Sequence, residues 1–594
     1  MTKAVLEAES EGAARRTVAA VPAPSLAVPA SLHASLMARL DRLGPAAGEV
    51  AQIGAVVGRE FSHALLAAVA RKPEAELASA LDRLVQAGLL FRHGVPPHAN
   101  YVFKHALVQD AAYGTLLRER RRALHARIAE TLERQFAETA ESQPEMLAHH
   151  CTEAGLIEKA AGLWGEAGQR SVERSALAEA VVQLARALEL IATVPGTPAL
   201  RREQIRLQVA LTLPLIHTKG WAAAETKASL EQARLLFEQA EALGEPPEDP
   251  LLLFQVLFGF FAVNQVASTG DDMCDLAMQF LALAEKQSAS GPLMVGHRIV
   301  GNALSQTGQI AEGRGHLDQA IALYEPAEHR HLATRFGIDQ RVSGLFHRSY
   351  CLWVLGYPEA ALRDAQDSIG FARELGHAGA LMGALKHAIA YTLTGDYPVA
   401  AARAQELVSL AEEKGAVFWK AEGMGNQGIL LALAGRASDA IDTLSTAITA
   451  SRSTGARFWT PFRLPYLARA HAELGQFEEA WRRIGEAMAV LEATKESWNE
   501  ADIHRTAGEI ALMGPRADAA KAEDYFGRAI AVARAQQAKS WELRATTSLA
   551  RLWKGLGRHR EAHDRLAPIY GWFTEGFDTL DLKEAKALLD EMHA

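Results

Sequence analysis

The chain predicts an all-α fold: a helical-repeat superhelix (α-solenoid) preceded by a winged-helix module that carries a small β-hairpin. Three observations lead there. One unit recurs four times toward the C-terminal end: Trp419, Trp459, Trp498 and Trp541 each stand 16 residues before a glycine, Gly435, Gly475, Gly514 and Gly557. Five residues after each glycine comes an alanine (Ala440, Ala480, Ala519 and Ala562), and the unit repeats at intervals of 40, 39 and 43 residues. Fixed internal spacings inside a drifting outer spacing mark an internal repeat, and a period of roughly 20–50 residues means a stacked array rather than one closed globule. Around each glycine, apolar residues recur three and four apart, the period of a helix with one buried face. In the first third, two short strand-like runs follow a set of short helices. At 594 residues the chain is also too long for a single core.

In order along the chain, residues 1–30 are Ala/Pro-rich with little helical patterning after Glu9 and read as a linker. Residues 31–135 read as the winged-helix module. Ser31 is placed to cap a helix through Leu43, ended by Gly44-Pro45. A second helix is expected over about 47–57, stopping at Gly58, and a short third over 61–70. Lys72-Pro73-Glu74 opens a fourth, with Leu77, Leu81, Leu84 and Val85 on one face. Leu89-Leu90-Phe91-Arg92 and Tyr101-Val102-Phe103-Lys104 are strand-like runs around a Gly94…Pro96-Pro97 loop, a β-wing, and a helix over about 106–117 follows. A winged helix can read DNA through its recognition helix. Here that helix carries Glu74, Glu76 and Asp82 beside Arg83, which leaves few cations for phosphates, and the basic run Arg118-Glu119-Arg120-Arg121-Arg122 lies beyond the wing. Packing and coupling is therefore the expected role, and DNA binding the alternative.

Residues 144–290 are expected to form irregular helical-repeat pairs, and residues 291–594 regular repeats with a period of about 40 and a C-terminal capping helix. In each regular repeat the glycine ends the first helix, because a residue with φ > 0 is needed past the last turn. The alanine opens the second helix where two helices approach closely, and a larger side chain there would push them apart. The frame extends upstream as Gly395-Asp396-Tyr397…Ala400, Gly356-Tyr357-Pro358-Glu359-Ala360 and Gly308-Gln309-Ile310-Ala311. These resemble the turn of a tetratricopeptide repeat (TPR), whose usual period is roughly 34 residues, so longer helices or loops are expected here. The tryptophans, one per repeat, read as inter-repeat core or as aromatic anchors along the concave groove. In Phe418-Trp419 and Phe458-Trp459 adjacent aromatics diverge by about 100° on a helix, so one is expected to pack while the other faces the groove.

The charge balance of 62 basic against 71 acidic residues, net −9, argues against affinity for nucleic acid or anionic membrane. Three scattered cysteines, Cys151, Cys274 and Cys351, suggest a reducing compartment. The N-terminus lacks the apolar core of a signal peptide. The longest apolar run, Leu251–Val263, is too short to span a bilayer and reads as a buried repeat helix. Together these predict a cytoplasmic protein without a membrane partner.

Several further stretches carry a family resemblance: Val28-Pro29-Ala30-Ser31-Leu32 with Leu36-Met37-Ala38-Arg39-Leu40-Asp41, Gly58-Arg59-Glu60-Phe61, Phe103-Lys104-His105-Ala106-Leu107-Val108-Gln109-Asp110, and the tail Tyr570-Gly571-Trp572-Phe573-Thr574-Glu575-Gly576-Phe577-Asp578. They resemble the C-terminal half of bacterial class III adenylate/guanylate cyclase-like proteins. In these, a cyclase domain precedes a STAND-type (AAA-like) ATPase, a winged helix and a TPR array. The resemblance implies a non-catalytic sensor region that binds a protein or small effector on the repeat groove. The winged helix would relay occupancy to a nucleotide-binding domain in cis or in trans. Met1–Glu7 resembles the last helix of the ATPase lid, so Met1 is expected to be internal to a longer reading frame, with a truncated paralogue as the alternative. Two competing functions stand beside the sensor: a transcription regulator using the winged helix on DNA, and part of a longer cyclase whose catalytic and ATPase domains, and hence ATP, lie outside this sequence.

No catalytic, cofactor or metal residue is assigned. No Gly-x-x-x-x-Gly-Lys-[Ser/Thr] loop occurs to cradle phosphates. Gly423-Met424-Gly425-Asn426-Gln427-Gly428 fits a dinucleotide fingerprint in letters, but it falls inside a repeat helix where small residues permit tight packing. His149-His150-Cys151 lacks a second ligand pair at usable spacing. His329-Arg330-His331 reads as a solvated turn.

Overall fold

The computed structural model describes residues 30–245, 249–267 and 269–593. The expected linker and lid remnant lie, Ala30 apart, outside the described residues. The chain falls into two compact units, Met1–Ala160 and Ala161–Ala594.

In the first unit the helices Ala30–Arg42, Pro45–Val57, His63–Ala70, Glu74–Gln86, Ala106–Gly114 and Arg118–Gln135 surround a three-stranded antiparallel sheet. Its strands are β1 (Glu60–Ser62), β2 (Leu90–His93) and β3 (Asn100–Phe103), in the order β1-β3-β2. The hairpin β2-β3 stands where the apolar runs placed it. β1 was not foreseen: Phe61, expected in a helix, pairs with Tyr101 across the sheet. Its ring lies 5.9 Å from that of Tyr101 and 5.8 Å from that of Phe103. Three residues are too few to show a period of two. The real helix starts just after this strand, where the Ser62 hydroxyl accepts from the Leu65 amide at 3.2 Å. Three arginines of the basic run make contacts within this unit, although Arg120 and Arg122 stay exposed. Arg120 pairs with Glu49 at 3.0 Å, Arg121 lies 4.2 Å over the Tyr113 ring, and Arg122 donates to the Ala154 carbonyl at 2.7 Å.

Among its described residues the second unit contains helices and no strand, built as successive helix pairs that end on the capping helix Leu580–His593. The regular repeats are Val417–Leu433 with Ala437–Ser453, Thr460–Glu473 with Phe477–Thr494, Glu500–Met513 with Ala519–Ala535, and Lys539–Gly555 with His559–Tyr570. Upstream pairs such as Ser290–Gln306 with Ile310–Ala322, and Gln340–Leu355 with Pro358–Leu375, follow the same plan. The fold is a TPR-like helical-repeat superhelix.

Gly435, Gly475 and Gly557 have φ of 70°, 75° and 80°, as a helix-terminating glycine requires. Gly514 departs from the expectation with φ −64° and ψ 161°. Pro515 follows it, and the residue before a proline is pushed into the extended region. The longer loop moves the next helix start, so Ala519 is only its first residue and is half-buried rather than at a helix contact. The fully buried fourth residue of that helix is Ala522, which stands where Ala440, Ala480 and Ala562 stand in theirs. The expected alanine register therefore holds in three repeats and is corrected by three residues in the other.

The superhelix also closes on itself. The indole Nε1 of Trp419 donates to His217 Nδ1 at 3.2 Å across 202 residues, and the Ser540 hydroxyl donates to the Trp353 carbonyl across 187. Between them, the amides of Arg457 and Phe458 donate to the Val266 carbonyl, and those of Ser497 and Trp498 to the Gln306 carbonyl. These links join one turn of the coil to the next. A Cβ on Gly356, at φ 97°, would sit 2.4 Å from the Trp572 ring, so this turn glycine serves both the helix end and the contact between coils.

Candidate functional site

The four repeat tryptophans lie inside the array. Trp419 is 6% exposed, Trp459 3%, Trp498 1% and Trp541 1%, and the Trp459 and Trp498 rings stand 5.2 Å apart. The expected division between packing and groove-facing aromatics is corrected: Phe418 and Phe458 are buried as well as their tryptophan neighbours. The coil closure explains this. The faces that would border a concave groove are covered here by helices of the adjoining superhelical turn.

Those aromatics surround charges that sequence reasoning missed. Glu422, Lys386 and Arg463 are all buried, with Glu422 Oε2 at 3.1 Å from Lys386 Nζ and 2.9 Å from Arg463 Nη2. The Arg463 approach is an ion pair whose angles fall outside hydrogen-bond geometry. Burial alone pushes the Glu422 carboxyl up, but Arg463 and Lys386 outweigh it and hold it below the ordinary value. Glu496, also buried, accepts from the Trp459 amide at 3.1 Å and the Trp498 indole at 3.3 Å. Burial pushes its carboxyl up to about 7, against the pull of those two hydrogen bonds and of Lys386 and Arg463. The available signal was the lone charge of Lys386 after an otherwise small and apolar stretch, Ala378–Leu385; Glu422 stands close to Lys420 and gave no such signal.

An open groove of about 600 Å³ remains nearer the C-terminal end. First helices of successive repeats line it with Tyr466 and Arg469, then Arg505 and Glu509, then Arg544, Thr547 and Arg551, and the capping helix adds Asp581 and Glu584. The charges form a ladder. Arg544 pairs with Asp581 at 2.8 Å and donates to the Leu393 carbonyl at 2.7 Å; Arg505 pairs with Asp502 at 2.7 Å and with Glu509. Burial acts to lower the Arg505 pKa, but Asp502 and Glu509 raise it above the ordinary value. Arg469 and Arg551 keep 42% and 48% of their side-chain surface exposed, and among the described residues the Thr547 hydroxyl has no hydrogen-bond partner. The lining offers directed charge and hydrogen-bonding groups over several turns of helix, which suits an extended polar segment.

The remaining motifs resolve structurally. Within Val417–Leu433, added Cβ atoms would meet Val408 from Gly423, Arg463 from Gly425 and Leu444 from Gly428, so each glycine faces a different neighbouring helix. His150 is buried and its Nδ1 stands 2.9 Å from His125 Nδ1; His125 Nε2 is 3.0 Å from the Tyr113 hydroxyl. Burial lowers these imidazoles to about 3 and about 4. Among the described residues no group of three or more His, Cys, Asp or Glu could hold a metal ion. His329 corrects the solvated-turn reading: it is 3% exposed and accepts from the Glu325 amide at 3.0 Å. Among the described residues no helix is long and apolar enough to cross a membrane, and Leu251–Ala267 is a repeat helix with Phe254, Phe258 and Phe261 buried.

No family model matches the chain. An uncharacterized protein of Rhizobium meliloti (strain 1021) is 28% identical over 538 residues, 88% of this chain and 50% of the relative. The chain thus spans about half the length of the curated relative it matches. Among solved structures, a Rap protein complexed with competence and sporulation factor is 13% identical, with a TM-score of 0.44 over 66% of this chain and 99% of that one. A STAND protein with a tetratricopeptide repeat sensor from Pyrococcus horikoshii is 12% identical, with a TM-score of 0.28 over 97% of this chain and 68% of that one. The repeat fold follows from the chain's own succession of helix pairs.

Proposed function

We propose that this chain is the non-catalytic sensing region of a STAND/cyclase-type signalling protein. The superhelix binds a protein or peptide partner in the groove between Tyr466 and Glu584. The first unit, read as a winged helix, relays occupancy to a nucleotide-binding domain in cis or in trans. The ladder of arginines and carboxylates on successive first helices is the observation that carries this reading. The helix and strand order of the first unit, with its hairpin, supports the winged-helix part. The half of the Rhizobium relative that lies outside the matched stretch supports a larger parent. The mechanism is a shift between two packings, driven by the partner's preference for one.

A random-peptide display selection on the full chain tests the groove. Selected peptides are expected to lose about tenfold or more in affinity for Arg469→Glu/Arg551→Glu, since reversed charges oppose binding. They should keep their affinity for Arg528→Glu, whose side chain is 60% exposed outside the groove. Unchanged Kd values in the double variant overturn the groove reading.

A further inference from the structure

Arg298 is an unusual residue in this molecule. It sits in the helix Ser290–Gln306 and is 3% exposed. Its Nε donates to Gln340 Oε1 at 2.6 Å and its Nη1 to the Ser343 hydroxyl at 3.2 Å, both neutral partners. Among the described residues Nη2 has no hydrogen-bond partner and no carboxylate stands within ion-pair distance; the guanidinium carbon lies 5.2 Å from the centre of the Phe258 ring. Buried arginines are ordinarily matched by a carboxylate, because an unmatched buried charge costs several kcal/mol. Burial indeed lowers the Arg298 pKa to about 9.

The guanidinium borders a small cavity of about 70 Å³, walled chiefly by Trp221, Phe258, Phe346, Phe418 and Trp419. Among the described residues the cavity lining includes no acidic one. The second cation at its wall, Lys386, already faces Glu422. His347 and His387, also in the wall, are held well below the ordinary imidazole value, first by burial, and carry no charge near neutral pH. The site is therefore an aromatic chamber with one uncompensated positive charge and a free donor. Of the lining residues, only Trp221 and Gln265 are not fully buried, which puts the entrance at their edge.

We infer that this chamber binds a small apolar monocarboxylate, whose carboxylate pairs with the Arg298 guanidinium and whose hydrocarbon body packs against the aromatic wall. A mostly apolar lining with one placed charged group is the usual make-up of a small-molecule site, and a guanidinium recognises a carboxylate through paired N–H donors. The chamber is separate from the groove near the C-terminal end, and the inference stands whether or not that groove binds a peptide.

Isothermal titration of the full chain with 3-methylbutanoate and benzoate, beside their primary amides, tests it. The carboxylates are expected to bind and raise Tm, and the amides to do neither. Arg298→Met keeps the length and removes the charge; it should weaken carboxylate binding by about tenfold or more while melting no lower than the wild type. Arg298→Lys should retain part of the binding. Carboxylates that bind Arg298→Met as well as wild type overturn the inference by placing them elsewhere. So does the absence of carboxylate binding to the wild type, and an Arg298→Met protein that melts well below wild type in that case makes Arg298 a packing residue only.

Discussion

Glu422 and Glu496 sit in the same aromatic surroundings and yet are held in opposite ways. Glu422 touches two buried cations, and its charge is needed to neutralise them. Glu422→Gln keeps the shape and leaves Lys386 and Arg463 buried against a single neutral amide. Breaking one partner out of a buried ion group costs about 3–5 kcal/mol, so urea unfolding of this variant should show a loss of that order. A loss under about 1 kcal/mol would mean that the cations reach water or another anion. Glu496 is raised by burial to about 7 from an ordinary carboxyl value, so the folded state binds a proton that the unfolded state releases between those values. Its contribution is fully present below the unfolded pKa and is lost as pH rises toward about 7. Over that window wild-type stability should carry a downward component from Glu496 of up to about 1.4 kcal/mol per pH unit. Glu496→Gln should remove it, so that the two pH profiles of urea midpoints differ in slope across the window. Parallel profiles would refute the assignment.

At the scale of elements, the register of the repeat was legible wherever a glycine ended one helix and an alanine stood four residues into the next, as at Gly435 and Ala440. It was misread where Pro515 altered the turn. Counting five residues from Gly514 lands on Ala519, but the helix starts there, and the close contact falls on Ala522. A spacing count assumes a constant loop, and a proline changes both the backbone of the preceding residue and the loop length. Ala522→Leu should therefore destabilise by about 1–3 kcal/mol through overpacking, and Ala519→Leu by no more than about 0.5 kcal/mol. Chemical denaturation of the two variants decides between the registers, and a reversed order would restore the one expected from the spacing. β1 escaped detection because three residues show no period, and Lys386 and Glu422 because their pairing spans two repeats. The candidate groove was legible only as a face of the array: which part of that face stays open depends on where the coil closes, and no local pattern reports that.

At the scale of the second unit, coil closure changes how the array should unfold. An open solenoid touches only its neighbours, so its stability is a sum of local terms and damage stays local. Here Trp541 donates its indole N–H to the Trp498 carbonyl at 3.0 Å, and its ring stands 4.6 Å from that of Trp353, nearly two hundred residues away in sequence. Ser540 bonds the Trp353 carbonyl beside it, and the Glu359 carboxylate accepts from the Gly576 amide at 2.8 Å. Removing the Trp541 ring therefore strips packing from Gln340–Leu355 as well as from the adjoining repeats. In hydrogen exchange, Trp541→Ala should lower amide protection in Gln340–Leu355 by as much as in Glu500–Met513, because both share the contact and open together. Protection losses confined to Glu500–Met513 and His559–Tyr570 would show that the coil contacts are too weak to couple distant repeats. In that case a partner bound near the C-terminal groove would have no packed route to residues 340–355, and the two-packing mechanism would have to act through neighbouring repeats one after another.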